Sequence, residues 1–396
     1  MVRVHYSWII AFAGMLGVLV GLGFARFGYT PILEPMREGL GLSYTHMGLI
    51  ASANFLGYVS FSMLGGYLAS KYGGRRVAIY SLLLIGATMI LTGLVRSFAD
   101  AVVARFLTGV GSAGVNVSFL GLVSSWFGKT RRGLATGIMN AGSSMGIIIV
   151  GIIIPLIILN FQDGWRVGWF FLGAAGIVIA AVSYTLVRDK PEELGLKPVG
   201  AEKEERRELS LGMVYRSKTL LRLGLVYILF GFSYIIFATF YSAHIILLGY
   251  SIELAGGFWA LVGVLSIFSG PFWGTVSDRI GRNYGLATVY TLLGISFIIF
   301  GFSKGVMGLT VASLIAGITI FSIPTIVQAF CGDLVGTRAA SAAIGFVTVF
   351  FGIGQMVGPG VGGYLADLTG SFMAPLTLAG IAAIMGGLFS LFLKHK

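Results

Sequence analysis

Gly66-Tyr-Leu-Ala-Ser70-Lys71-Tyr-Gly73-Gly-Arg75-Arg76 and Gly274-Thr-Val-Ser-Asp278-Arg279-Ile-Gly281-Arg282-Asn are two versions of one short, charged, glycine-marked loop. Each follows the second long apolar segment of its half of the chain. Outward from these loops the sequence is apolar almost throughout: 56% of the 396 residues are hydrophobic and 11% are charged, which no soluble domain of this length sustains. A membrane-spanning helix needs about 20 predominantly apolar residues. The chain supplies such segments at about 7–36, 45–70, 76–95, 101–126, 132–159, 167–187, 223–248, 254–277, 284–302, 307–330, 340–365 and 372–393. The expected fold is therefore an all-α membrane protein of twelve transmembrane helices. The first segment is too long for a removable signal peptide, and no small-residue cleavage site precedes the polar Arg37-Glu-Gly.

A charged, proline- and glycine-marked stretch at 188–222 divides the segments six and six. The domains expected are a six-helix bundle over 1–187, a linker over 188–222 and a second six-helix bundle over 223–396. Within the linker, 200–208 reads as solvated chain and Leu209 to Leu223 as a basic amphipathic helix on the membrane surface. The 60 glycines suit a bundle in which small residues let helix backbones approach closely. The net charge of +12 raises the question of nucleic acid, and its distribution answers it. With the N-terminus taken as cytoplasmic, alternate loops collect 21 Lys and Arg residues on that side against four on the other. This places both termini in the cytoplasm and the chain in the cytoplasmic membrane, with the lipid bilayer and not nucleic acid as its surroundings. One cysteine excludes an internal disulfide, and four scattered histidines offer no metal-ligand spacing, so neither a metal nor a cofactor is expected.

The duplicated loop resembles the signature Gly-x-Leu-Ala-Asp-Arg-x-Gly-Arg-Arg of the major facilitator superfamily, and twelve segments split six and six extend the resemblance over the whole chain. In that family the loop is a charge-relay latch that stabilises the outward-facing state. The resemblance thus implies gating roles for Ser70, Lys71 and Arg75 in the first copy and for Asp278, Arg279 and Arg282 in the second. Ser70 stands where the family has Asp, which weakens the first latch and leaves the one built on Asp278 and Arg279. Arg105 opens a stretch similar to the family's motif in span 4. Gly358 and Pro359 in span 11 resemble its glycine-proline gating helix. The Arg in span 1, Gly57-Tyr58 and Arg105 are similar to the anion:cation symporter branch. An oxalate/formate or monocarboxylate-like branch competes, although it carries a cation in span 8 that this chain lacks.

Inside span 1, Gly21-Leu-Gly-Phe-Ala-Arg26-Phe-Gly-Tyr-Thr-Pro31 puts a full positive charge among apolar residues. Such a charge costs from about 3 to over 10 kcal/mol near the bilayer centre and so faces a partner or a substrate path. Internal pairing with Glu34 or Glu38 is one reading, and binding of an anion is the other. Polar and aromatic residues stranded in mid-span extend the candidate substrate site to Tyr29, Asn54, Tyr58, Asn116, Phe119, Tyr234, Tyr241, His244, Gln328 and Gln355, with Asn140, Trp259 and Thr325 nearby. For each amide, a helix-to-helix hydrogen bond is the alternative use. Asp278, Asp333 and Asp367 are read as lying near the cytoplasmic ends of their spans, so no span interior holds a carboxylate. That counts against cationic drug efflux, and Ala25 replaces the proton-carrying Asp that the symporter branch has before its Arg. Coupling then falls to His244, which titrates near pH 6.5, to Glu34 with Arg105, or to the substrate's own proton.

No nucleophile–base pair points to an enzyme and no repeated pore motif points to a channel. The resulting expectation is a monomeric secondary active transporter that moves a small organic anion, a monocarboxylate or sugar acid, by alternating access, with protons as the coupling ion. The alternative is a transporter of a neutral solute, either a sugar or a hydrophobic compound.

Overall fold

The structure, a computed structural model, describes residues 5–200 and 216–393. Among these residues, twelve helices have the length and apolarity to cross a membrane. They are α1 (Tyr6–Leu40), α2 (Tyr44–Tyr72), α3 (Gly74–Leu94), α4 (Phe98–Trp126), α5 (Lys129–Asn160), α6 (Gly164–Leu186), α7 (Lys218–Leu247), α8 (Ile252–Ile280), α9 (Arg282–Phe302), α10 (Val306–Gly336), α11 (Ala342–Thr369) and α12 (Met373–Ser390). All twelve apolar segments read from the sequence become helices.

The duplicated loops make the same turn. Gly73 between α2 and α3 has φ 93°, and Gly281 between α8 and α9 has φ 97°, a region that residues with a Cβ rarely enter. Each glycine starts the next helix directly, so the loop is a hinge of a single residue. Helix starts elsewhere are fixed by hydroxyl caps: Ser97 and Asp100 form a capping box on α4, while Ser217 and Ser251 accept from the third amide of α7 and α8.

Contacts divide the chain into two units, the first comprising 1–40 and 53–205, the second 41–52 and 206–396. Unit 1 closes by glycine contacts. A Cβ at Gly173 of α6 would stand 2.6 Å from the Gly86 carbonyl of α3, and one at Gly23 of α1 would stand 2.6 Å from the Gly146 Cα of α5. Unit 2 repeats the first of these joints: a Cβ at Gly294 of α9 would stand 2.6 Å from the Gly380 carbonyl of α12. The duplication seen in the loops is thus present in the helix packing too.

Three stretches bear on the sequence expectations. The stretch 188–200, the start of the expected linker, packs against the end of α4. Val199 exchanges hydrogen bonds with Trp126 and Gly128, and the Trp126 indole donates to the Arg188 carbonyl. The expected surface helix over Leu209–Leu223 lies outside the described residues up to 215, and from Lys218 onward the chain is already α7. Asp367 lies at the opposite end of its helix's membrane crossing from Asp333, because α10 and α11 reverse direction at Gly336 (φ 74°). Its carboxylate accepts from the amides of Tyr44 and Thr45 and from the Thr45 hydroxyl, all within unit 2, capping the first turn of α2.

Candidate functional site

The stretch around Arg26 is not ordinary helix. Leu19–Phe27 is a nine-residue π-helix between two α-helical parts of α1. Wide turns of this kind appear mostly as single bulges at functional sites. The run ends where the Gly28 amide is shared between the Gly23 carbonyl at 3.0 Å and the Phe24 carbonyl at 3.1 Å, one bond of the wide type and one of the α type.

Arg26 extends from the end of this run onto two rings of α2, its Cζ 4.7 Å from the Phe55 centroid and 5.0 Å from that of Tyr58. Its Nε and Nη2 are buried without a hydrogen-bond partner. These two nitrogens form the edge of the guanidinium whose hydrogens run parallel, the pair that grips a carboxylate. The internal pairing considered above does not occur. Glu34 takes a fork from Arg37 instead, at 3.0 Å from Nε and 2.7 Å from Nη2, and Glu38 is also Arg37's neighbour. The Tyr58 hydroxyl beside Arg26 accepts from the Asn116 amide of α4 at 2.7 Å, so Arg26, Tyr58 and Asn116 stand together.

Arg105 of α4 is a second buried cation, 1% exposed, lodged between Tyr29 (5.2 Å) and Trp169 (4.9 Å). Its Nη2 donates to the Ala25 carbonyl at 2.5 Å, while Nε and Nη1 are buried without a partner. The Asn54 amide donates to the Arg105 carbonyl at 3.1 Å and joins α2 to α4. Phe119 is fully buried against Gly14 and Gly17, where α4 packs on α1.

The candidates of unit 2 form a different kind of cluster. Gln355 of α11 donates to the Tyr234 hydroxyl of α7, under a stack of Tyr227, Phe230, Tyr234 and Phe351. Tyr241 is fully buried, bonded to Ser313 at 2.5 Å and stacked 4.6 Å from Phe300; Trp259 packs 5.0 Å away. His244, 3% exposed, has its Nε2 3.0 Å from the Phe300 carbonyl, with the Phe300 and Phe372 rings against it. Gln328 and Thr325 of α10 and Asn140 of α5 are exposed.

At the loops, the second copy holds a real ion network. Arg282 meets Asp278, the Asp333 carboxylate at 2.8 Å and the Ser277 hydroxyl at 2.8 Å. The partner of Asp278 is thus Arg282; Arg279 is exposed. In the first copy Ser70 only returns to its own helix at Tyr67, and Lys71 lies over Tyr67 and Tyr72. The missing acid is supplied from elsewhere: Asp189, after α6, accepts from the Arg75 amide at 2.8 Å, while the Arg75 side chain donates to the Tyr184 carbonyl. Gly358 packs its backbone onto Phe232 and Ile235 of α7, and Pro359 continues α11 without a break in the helix.

Sequence reading missed Phe55, Trp169, Asp189 and Ser313. Phe55 was within reach of it, since it stands three residues before Tyr58 on one helix face. The other three are long-range partners with no local signal.

Twelve membrane-length helices among the described residues, with the cations Arg26 and Arg105 set inside two of them, point to a multi-pass membrane transporter. Residues 18–391 match the family described as "Uncharacterised MFS-type transporter YbfB", and the chain belongs to that family of major facilitator transporters. It is similar over 89% of its length to the "Hexuronate transporter" of Bacillus subtilis (strain 168), at 24% identity and 86% coverage of that protein. It is also similar over 91% of its length to the "Probable sulfoacetate transporter SauU" of Cupriavidus necator, at 26% identity and 87% coverage. The fold matches the crystal structure of a bacterial homologue of the human lysosomal transporter Spinster, with a TM-score of 0.82, 13% identity, and 99% and 98% of the two chains covered. The family is one of transporters, in keeping with the sequence's lack of any enzyme constellation.

Proposed function

We propose that the protein is a secondary active transporter of a small organic anion, a monocarboxylate or sugar acid, working by alternating access in the cytoplasmic membrane with both termini in the cytoplasm. The observation that carries this reading is the unmatched Nε–Nη2 edge of Arg26, buried between Phe55 and Tyr58 within a membrane span. A buried guanidinium without a carboxylate is expensive unless an anion visits it. The fork accepts one carboxylate in two parallel bonds, and the Tyr58–Asn116 pair beside it offers further polar contacts for hydroxyls of the same substrate. The names of the relatives above, hexuronate and sulfoacetate transporters, support the same class. The 21 to 4 distribution of Lys and Arg supports the orientation. Proton coupling belongs to the proposal, and with His244 committed to Phe300 the proton falls to Glu34 or to the substrate's own carboxylate.

The test is uptake into proteoliposomes of D-galacturonate, lactate and the neutral sugar D-galactose, each with and without an inward pH gradient. Saturable uptake of an acid, absent for galactose, is expected. Uptake of galactose equal to that of both acids would overturn the anion assignment.

A further inference from the structure

We infer that Arg105 is a positioning residue: it holds the wide turn of α1 and thereby aims Arg26, and it is not itself a ligand for the transported anion. The inference rests on Arg26 being the anion's partner, and it is drawn from how α1 is supported. In an α-helix each residue advances about 100° around the axis. If the Leu19–Phe27 run relaxed to α-helical spacing, Arg26 would rotate relative to the part of α1 before it, away from Phe55 and Tyr58. Something must therefore hold the wide form.

Two contacts do so, from two different helices. In one, Gly23 lies against Gly146 so closely that neither position has room for a Cβ, which lets the broadened backbone sit against α5. In the other, Arg105 reaches from α4 and donates to the carbonyl of Ala25, the residue directly before Arg26. The Arg105 guanidinium is in turn fixed flat by the rings of Tyr29 and Trp169, and its own carbonyl is taken by Asn54. The neighbouring inward positions of α4, Ala101, Ala104, Thr108 and Ser112, are small and uncharged, so packing alone does not call for an arginine here. A flat cation whose reach ends on a backbone carbonyl is a clamp on that backbone.

The first measurement needs no ligand: hydrogen–deuterium exchange of the purified protein in detergent, read on peptides covering 19–28, for wild type, Arg105→Gln and Arg105→Lys. The expected result is at least tenfold faster exchange of these amides in Arg105→Gln, with α7–α12 unchanged. Arg105→Lys keeps the charge but loses the flat stack, and the same direction is expected at a smaller size; it carries the test if Arg105→Gln does not fold. Unchanged protection at 19–28 in the folded variants would overturn the inference, whatever the substrate proves to be.

The second measurement is the KM for D-galacturonate in a double-mutant cycle with Arg26→Lys. A group that acts by orienting the fork of Arg26 matters little once the fork is gone. Arg105→Gln is therefore expected to raise KM at least tenfold in wild type and less than twofold in Arg26→Lys. An equal rise in both backgrounds would make Arg105 an independent anion ligand and sink the inference. Failure of wild type to take up any acid would refute the proposed function instead and leave the exchange result standing.

Discussion

In unit 1 the buried polar centre is a pair of guanidinium groups with four donor nitrogens unmatched, Nε and Nη2 of Arg26 and Nε and Nη1 of Arg105. In unit 2 the corresponding helices bury Tyr234, Gln355, Tyr241 and His244, and each of these has a hydrogen-bond partner in place. The two units share a helix order, a glycine joint and a hinge loop, yet the charged groups of one centre keep open donors while Tyr234, Gln355, Tyr241 and His244 of the other are hydrogen-bonded, although the Trp259 indole N–H beside them is not. Buried polar groups in folded proteins are nearly always satisfied, so each exception calls for a reason: for Arg26 the proposed anion, for Arg105 its clamp on the Ala25 carbonyl. The difference fits the anion site proposed at Arg26 in unit 1, and in unit 2 it leaves an aromatic wall whose Tyr234, Gln355, Tyr241 and His244 are already bonded. Replacing the open centre should therefore cost transport, and replacing the bonded one should cost mainly stability.

The largest effect is expected at Arg26. A hydrogen bond to a charged group contributes about 1.5–3 kcal/mol, so losing a two-bond fork should lower kcat/KM for the transported acid by roughly 100-fold or more. Arg26→Lys should lose nearly as much as Arg26→Ala, because an ammonium keeps the charge but not the parallel donors. Arg26→Ala should fold, since removing an unpaired charge from the span removes a cost, and Arg26→Lys should fold because it leaves the charge that the wild-type site already holds. The measurement is initial uptake rate against substrate concentration in proteoliposomes with matched protein content. Wild-type kinetics in Arg26→Ala would remove unit 1's claim to the anion.

What the sequence revealed and what it hid divide along range. The helices were legible because twenty apolar residues are a local signal, and the repeat was legible because Gly73 and Gly281 must take the same rare backbone angle. Arg26 stood out because a charge in that setting has few explanations. Its surroundings did not, because the wide turn is made by contacts with α4 and α5, more than a hundred residues away in the case of Gly146. Nor did the satisfaction of His244 and Tyr241 show: a polar residue in mid-span reads the same whether it lines a path or bonds a neighbouring carbonyl. Asp189 illustrates the same limit. Ser70 announces that the first loop has lost its acid, and only the fold shows another acid, from after α6, at the start of α3.

A middle-sized effect is expected at the loops, where the two units again differ. Arg282 has two carboxylate partners, so Asp278→Asn leaves the contact with Asp333 and should change the conformational equilibrium by about fivefold at most, as half-exposed ion pairs are individually weak. Asp278→Asn combined with Asp333→Asn should shift it further. Ser70→Asp adds an acid where Arg75 is already engaged by Tyr184 and Asp189, so its effect should be smaller than that of Asp278→Asn. The observable is the labelling rate, by a membrane-impermeant maleimide, of a cysteine placed at exposed Ser125 with Cys331 replaced by serine. Identical rates in all four proteins would mean that neither loop acts as a latch.

The smallest effect is expected at His244, although a lone histidine in a span without carboxylates invites a proton-carrying role. Its Nε2 is 3.0 Å from the Phe300 carbonyl and its ring is held against Phe300 and Phe372, so the side chain is spent on joining α7 to α9. A carrier must exchange its proton with water on both sides of the membrane in turn, and a residue 3% exposed and fixed to a backbone carbonyl is poorly placed to do so. Glutamine has a donor amide of similar reach and can keep the bond to Phe300. His244→Gln should therefore leave accumulation driven by an imposed pH gradient within about twofold of wild type, while His244→Ala, which orphans the carbonyl and opens a void between aromatic rings, should lower stability by about 1–3 kcal/mol. The decisive comparison is between these two variants across a range of external pH. If His244→Gln loses the pH dependence while folding as well as wild type, His244 carries the proton and the bonded centre of unit 2 takes part in coupling after all.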